Sequence, residues 1–263
     1  MLGKVLKYDL KWVYKVVVVF YILAFIFSVI GRALSEIEDS VIFSVVTQIV
    51  FGIAISMMVS SLINCLMRLW ARFIKNIYKD ESYLTHTLPV EKNTIFASKV
   101  ISALICIFTT TIVIIACLFI CYYSEANMQV LKQVLELTAS TYNTTVLNLL
   151  LLVSLVIFLE LMFIVLVGYI GIILGYKSNQ NKMIKTIIIG FALYMISQVV
   201  TLALISALGL FDSNVMNLIN TTDTINIDAI KSAMYASMGI YVIYIAFYYM
   251  IGKKQLEKGV NVD

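Results

Sequence analysis

The sequence has few charged residues, a single proline and a single histidine. Only 13% of its 263 residues are charged and 62% are hydrophobic, whereas soluble domains are about 25% charged and about 45–50% apolar. A soluble core of this length could not bury so much apolar surface, so the excess must face lipid. The mean hydropathy of +0.98 agrees. The composition therefore predicts an integral membrane protein.

The missing residue types also exclude several kinds of active site. Because His86 is the only histidine, neither an HExxH metalloprotease nor a multi-histidine metal site is possible. There is no GxSxG nucleophile elbow. The run from Gly171 to Ser178 resembles a phosphate-binding loop, but its glycines are one residue too close and Tyr176 separates the second glycine from the lysine. We therefore expect no catalytic residue, metal or cofactor in this chain.

Small residues within the apolar runs are predicted to serve helix packing. Cysteine inside a membrane usually acts as a small packing residue, and no CxxC or Cys/His spacing indicates a metal. Gly171 and Gly175 have the GxxxG spacing that lets helices approach closely, within one chain or between chains. The residues concerned are Cys65, Cys106, Cys117, Cys121, Gly168, Gly171 and Gly175.

Six apolar stretches are long enough to cross a membrane, since a helix needs about 20 apolar residues to span the hydrocarbon core. The sequence predicts an all-α membrane protein with a single transmembrane domain over residues 1–263. The predicted spans are about 16–34, 41–67, 97–123, 146–176, 185–211 and 233–252. Two polar segments between spans, 125–145 and 212–231, are predicted as outer loops too small for folded domains.

The distribution of lysine and arginine predicts the orientation. With a cytoplasmic N-terminus, 16 of the 19 basic residues fall on the cytoplasmic side, as the positive-inside rule requires. Both termini are then cytoplasmic, and the expected location is the cytoplasmic membrane. Because the basic balance reflects topology, we expect no nucleic-acid partner.

The first fifteen residues are amphipathic. Lysines recur on one helical face and apolar side chains lie roughly opposite, which indicates a helix lying in the cytoplasmic interface. The alternative, compatible with the first, is that the lysines only anchor the topology. The two sets are Lys4, Lys7, Lys11 and Lys15, and Leu2, Leu6, Leu10 and Val13.

The largest predicted cytoplasmic segment lies between the second and third spans. Arg68, Arg72, Lys75 and Lys79 share a helical face, so the second span is predicted to continue as a helix into the cytoplasm. Pro89, the only proline, permits a new helix to begin near Glu91. A short tip between two helical stems is a structure suited to contacting a partner.

Glu160 lies near the middle of the predicted fourth span, where an ionisable group costs about 2.5–3.5 kcal/mol to insert. One interpretation is a group that senses substrate or protons. The other is a protonated carboxyl hydrogen-bonded to a neighbour such as Gln48, Gln198, Asn64 or the Thr109–Thr111 cluster. The candidate substrate path comprises Glu160, Gln48 and Gln198.

The segment YKDESYLTHTLPV, from Tyr78 to Val90, and the later KVISAL, from Lys99 to Leu104, resemble a stretch found in permeases of bacterial type-2 ATP-binding-cassette (ABC) exporters. The resemblance covers roughly 27 residues. It implies an amphipathic N-terminal elbow helix and a cytoplasmic coupling helix at about Asp80–Thr87. It also implies a short outer helix within Ser206–Lys231.

The resemblance further implies partners. Two permease chains would pair as a homodimer or heterodimer, and two copies of a separate ATPase subunit would bind ATP and Mg²⁺. The residues implied to contact the ATPase are Asp80, Glu81, Tyr83, Leu84 and His86. The expected cargo is amphipathic or apolar, such as an antimicrobial peptide, a drug or a lipid-like molecule.

Three other functions remain open. A membrane component for peptide sensing or immunity could use the same fold. An autonomous secondary carrier would be expected to show internal repeats or several intramembrane charges, and neither is evident here. An intramembrane enzyme has no candidate set of residues.

Overall fold

The computed structural model describes residues 2–37, 41–87, 89–178, 180–210 and 227–258, and these ranges contain helices but no strand. Six of the helices are long and apolar enough to cross a membrane. This confirms the prediction of an all-α, multi-pass membrane protein. The helices in the described ranges are α1 (Leu2–Ser35), α2 (Val41–Ile77), α3 (Ser82–Thr87), α4 (Lys92–Tyr122), α5 (Glu125–Thr141), α6 (Val146–Gly175), α7 (Lys182–Gly209) and α8 (Ile227–Glu257).

Helix α2 extends beyond the membrane core, as its charged end predicts. It has 37 residues, which is about 55 Å at about 1.5 Å per residue and well beyond a hydrocarbon core of about 30 Å. Its last turns carry Arg68, Arg72 and Lys75. Helix α4 begins at Lys92, close to the predicted position near Glu91. The continuous helix and the start of α4 agree with the sequence, and the cytoplasmic location of the end of α2 stays a prediction.

Helix α1 differs from its prediction. The first fifteen residues are not a separate element, because one helix of 34 residues runs from Leu2 to Ser35. No glycine or proline occurs between Gly3 and Gly31, so nothing in this stretch breaks the helix. The amphipathic segment therefore forms the first four turns of the first span.

The segment 125–145, predicted as a polar outer loop, is mostly helical. Helix α5 has 17 residues without glycine or proline, and its helix-forming residues outweigh its polarity. An exposed apolar stripe runs along it, a pattern typical of a helix lying at a membrane surface. The stripe comprises Val130, Leu131, Val134 and Leu137. The short helix predicted within Ser206–Lys231 falls largely on residues 211–226, outside the described part of the chain.

The chain divides between Val130 and Leu131 into two compact units. In the N-terminal unit, α1 packs against α2 and α4. Two hydroxyl pairs join α1 to α4 at 2.6 Å each, Tyr14 to Thr109 and Tyr21 to Thr110. All four cysteines are free and buried in this unit, where they pack in its interior: Cys65, Cys106, Cys117 and Cys121.

In the C-terminal unit, α6 packs against α7 and α8. A Cβ atom added at Gly175 would lie 2.6 Å from the Cα of Thr186, and one at Gly171 would lie 2.8 Å from the Cα of Gly190. These separations are far below van der Waals contact, so only glycine allows α6 and α7 to approach so closely. The predicted close-packing role of Gly171 and Gly175 is confirmed within the chain.

Candidate functional site

A buried ionic network joins the first turns of α1 to the end of α2 and the start of α4. At its centre Asp9 is only 1% exposed. Its Oδ1 accepts hydrogen bonds from Arg72 Nε at 2.9 Å and from Lys99 Nζ at 2.6 Å. Its Oδ2 accepts one from Ser98 Oγ at 3.1 Å. One carboxylate thus ties three long helices together.

The register of α1 places Asp9 inside. Val13 and Val17, four and eight residues further along the helix, are both 0% exposed, so all three residues lie on the helical face that turns toward the interior. The sequence analysis did not single out Asp9. A signal was present: one acid stands among four lysines and lies in register with two core valines.

Glu81 extends the network to the segment before α3. Its Oε2 accepts hydrogen bonds from Arg72 Nη1 at 2.5 Å and from Asn76 Nδ2 at 3.1 Å. The Lys75 ammonium lies 3.6 Å from Oε1. Asn76 also donates to Thr85 Oγ1 at 3.0 Å, and thereby links α2 directly to α3.

Lys99 closes the network, because its ammonium also donates to Asn76 Oδ1. Two acids, Asp9 and Glu81, therefore pair with three bases, Arg72, Lys75 and Lys99. Charges in a buried site are retained only when they are paired and hydrogen-bonded. This arrangement satisfies both conditions and holds α3 against α2.

Helix α3 turns two of its residues inward and two outward. Ser82 is 4% exposed and Thr85 is 6% exposed, whereas Tyr83 is 76% exposed and Leu84 is 66% exposed. A six-residue helix with this alternation presents an apolar pair on its outer face. A tyrosine and a leucine at the tip of an anchored helix are suitable anchors for an apolar pocket on a partner.

The predicted ATPase-contacting residues are distributed differently in the structure. Tyr83, Leu84 and Asp80 are exposed. Glu81 instead faces the internal network and is 30% exposed. The side chain of His86 lies outside the described part of the structure. Of the two acids implied to contact the ATPase, Asp80 takes no part in the network among the described contacts, whereas Glu81 does.

Trp12 supports the same region from α1. The guanidinium carbon of Arg68 lies 4.0 Å from its ring centroid and that of Arg72 lies 5.6 Å away. These are cation–π distances. Arg68 and Arg72, which share a face at the end of α2, therefore both lie over the Trp12 ring.

The C-terminal unit contains a second group of polar residues. Glu160 of α6 and Gln198 of α7 are half-buried and lie near Tyr241 of α8. The structure therefore brings together two of the three residues predicted for a substrate path. Gln48, the third, is an exposed residue of the N-terminal unit.

Aromatic rings surround this polar group. Phe163, which is 0% exposed, has four tyrosine rings within 5.4–6.0 Å of its centroid. Ser197 on α7 hydrogen-bonds the Tyr248 hydroxyl at 2.8 Å, and the Tyr244 hydroxyl donates to the Ser197 carbonyl at 3.0 Å. The tyrosines are Tyr194, Tyr241, Tyr244 and Tyr248.

No known protein family, curated protein or solved structure matches this chain. A functional proposal must therefore be based on the side chains of this chain. They provide an anchored apolar tip on α3 and an aromatic, hydroxyl-rich interior that contains one carboxyl group. Within the described ranges, neither arrangement assembles a nucleophile with an adjacent base.

Proposed function

We propose that this chain is the permease subunit of a bacterial ABC exporter in the cytoplasmic membrane and that a separate subunit hydrolyses ATP. The observation that carries the proposal is α3, whose exposed Tyr83 and Leu84 stand on a helix anchored by the Asp9 network. The resemblance of Tyr78–Val90 to such permeases supports the same assignment. In this proposal α3 is the coupling helix.

The network supplies a path for mechanical force. A push on Tyr83 or Leu84 would reach Arg72 and Asn76 through Glu81 and Thr85. It would then reach α1 and α4 through Asp9 and Lys99. Because the contacts of Asp9 with Arg72 and Lys99 are short, buried and charge-assisted, they are stiffer than exposed pairs. Movement of an ATPase cleft would therefore be transmitted to three spans together.

The proposed assembly has two permease chains and two ATPase subunits, with both termini of this chain in the cytoplasm. The charge distribution supports this orientation, since Arg72, Lys75 and Lys79 precede α3. The amphipathic start of α1 would then lie at the cytoplasmic interface, where its lysines meet lipid headgroups.

The proposed cargo is an amphipathic or apolar molecule such as an antimicrobial peptide, a drug or a lipid-like compound. Glu160 and Gln198, which lie near Tyr241, are the proposed polar contacts along its path. An ionisable group at membrane depth is usually functional, and the surrounding aromatic rings suit the apolar part of such a cargo.

The test is co-purification of the ATPase with a tagged Tyr83→Asp/Leu84→Asp variant from native membranes. We expect recovery of the ATPase to fall by about tenfold or more, because two apolar anchors become charged. The matched control is Ile37→Asp/Tyr123→Asp, which alters two side chains of the same unit that are 51% and 48% exposed.

The control should retain the ATPase, and both variants should reach the membrane at the wild-type level. Equal recovery of the ATPase from the two variants would refute α3 as the coupling helix.

A further inference from the structure

A cavity of about 770 Å³ lies in the N-terminal unit, beside α3. Its walls come from the first four turns of α1, the end of α2, and the segment from α3 to the start of α4. The residues that carry its chemistry are Lys4, Lys11, Lys15, Trp12, Leu84 and Val90. This volume lies within the range of small-molecule sites, about 300–1,000 Å³.

The rim of the cavity is basic. Lys4, Lys11 and Lys15 are exposed and are separated by seven and four residues, so they form one stripe along α1. Among the described residues, no ion pair involves any of the three. Asp9 and Glu81, the acids in the wall, are already neutralised by Arg72 and Lys99. The cavity therefore has an excess of positive charge.

Much of the remaining lining is apolar and aromatic, with Asn76 and Thr85 as its polar members. Val5, Leu84, Val90 and Ile95 line it together with the Trp12 ring. Tryptophan and lysine flanking a span are typical of the interface between headgroups and acyl chains. The charge-free apolar run of α1 begins at Val16, directly after Lys15. The cavity thus lies where the membrane core gives way to the headgroup region.

We propose that this cavity binds an anionic phospholipid. Its phosphate would contact Lys4, Lys11 and Lys15, and the start of an acyl chain would lie against Val5, Leu84 and Val90. Lysine is a suitable point charge for phosphate, and basic clusters beside spans attract anionic lipids of the cytoplasmic leaflet. Free phosphate could pair with the lysine charges, but it could not bury the apolar side chains that line the cavity.

The site does not depend on the proposed transport function, since it requires only a membrane interface. Leu84 nevertheless lines the cavity and is also part of the exposed pair on α3. An occupied cavity would therefore place lipid directly against the side chain that we assign to the partner contact.

Trp12 provides a direct reporter of occupancy. The chain has two tryptophans, so Trp70→Phe leaves Trp12 as the only emitter. The purified full-length protein in neutral detergent would be titrated with brominated phosphatidylglycerol and with brominated phosphatidylcholine. We expect phosphatidylglycerol to quench Trp12 at a concentration at least about tenfold lower, because each nearby lysine attracts the anionic headgroup.

The site variant is Lys4→Gln/Lys11→Gln/Lys15→Gln, and the matched control is Lys253→Gln/Lys254→Gln/Lys258→Gln. Both remove three exposed lysines, but those of the control are not among the residues that line the cavity. We expect the site variant to lose the preference for phosphatidylglycerol and the control to keep it. If the triple variant does not fold, the single variant Lys11→Gln replaces it. We expect that variant to lose part of the preference for phosphatidylglycerol.

Inorganic phosphate in molar excess over the lipid distinguishes the two sources of phosphate. We expect it to leave the quenching by phosphatidylglycerol unchanged. Displacement of the lipid by inorganic phosphate would overturn the lipid assignment. Equal quenching by the two lipids, or equal losses in the site and control variants, would overturn the site itself.

Discussion

Lys99 Nζ donates a hydrogen bond to Asp9 Oδ1 at 2.6 Å across 90 residues of sequence. Both side chains are 1% exposed. A buried pair of this kind holds its two helices in one arrangement. Water cannot reach either charge, so moving the helices apart would leave both charges without solvation. Here it joins α1 to α4, close to α3, the helix that we assign to partner contact.

Removing one member of this pair is expected to destabilise the N-terminal unit strongly. Lys99→Met removes one of the two cations that pair with the buried Asp9 carboxylate and leaves Arg72 as the other, which should cost about 1–3 kcal/mol. Lys132→Met is the control, because it breaks the exposed Lys132–Glu136 pair on α5, and such pairs contribute about 0–1 kcal/mol. The measurement is thermal unfolding in detergent.

Asp9→Asn combined with Lys99→Met should recover part of the loss, since the buried carboxylate that has lost one of its two cations is replaced by a neutral amide, while Arg72 keeps Glu81 as its partner. Equal unfolding temperatures for Lys99→Met and Lys132→Met would show that the network does not stabilise the fold.

Close packing of α6 and α7 gives a second prediction. Gly175→Ala places a methyl group against the backbone of Thr186 and should cost about 1–3 kcal/mol through overpacking. Gly239→Ala in α8 is the control, because a Cβ there meets nothing within 4 Å and alanine favours a helix by about 1 kcal/mol. Unfolding temperatures should therefore move in opposite directions, and a shared direction would argue against the contact.

Orientation is testable by cysteine labelling. The native cysteines are buried, so their background labelling should be low. We expect a membrane-impermeant maleimide to label Lys132→Cys on α5 in intact cells and to label Lys79→Cys, before α3, only after permeabilisation. The reverse pattern would place the termini outside and would remove α3 from the reach of a cytoplasmic ATPase.

Glu160 gives a prediction about function. Glu160→Gln preserves the shape of the side chain and should leave the unfolding temperature close to wild type. We expect it to change cargo-stimulated ATP hydrolysis in the assembled complex, because an ionisable group at membrane depth is usually functional. Identical cargo stimulation in variant and wild type would leave Glu160 a structural role only.

Much of the fold is predictable because a helix that spans a lipid bilayer must have a long run of apolar residues. Apolar runs of sufficient length give the six spans, and Pro89 locates the start of α4 at Lys92. The GxxxG spacing of Gly171 and Gly175 identifies a surface of close approach. Each of these signals is local in the sequence.

The network was not predictable in the same way. From the sequence alone, Arg72 and Lys99 are assigned only to topology, because the positive-inside rule accounts for basic residues beside a span. Their burial results from contacts between residues that are distant in the sequence, Asp9 with Lys99 and Arg72 with Asp9. The helical α5 was missed for a different reason, since its polar composition hid an amphipathic stripe.

The most direct test of the central proposal is affinity purification of the tagged, unmodified protein from its native membrane in a mild detergent. Mass spectrometry would then identify and quantify the proteins that accompany it. We predict an ATP-binding-cassette ATPase in stoichiometric amount. Purification without any ATPase would contradict the proposal and would favour an autonomous carrier.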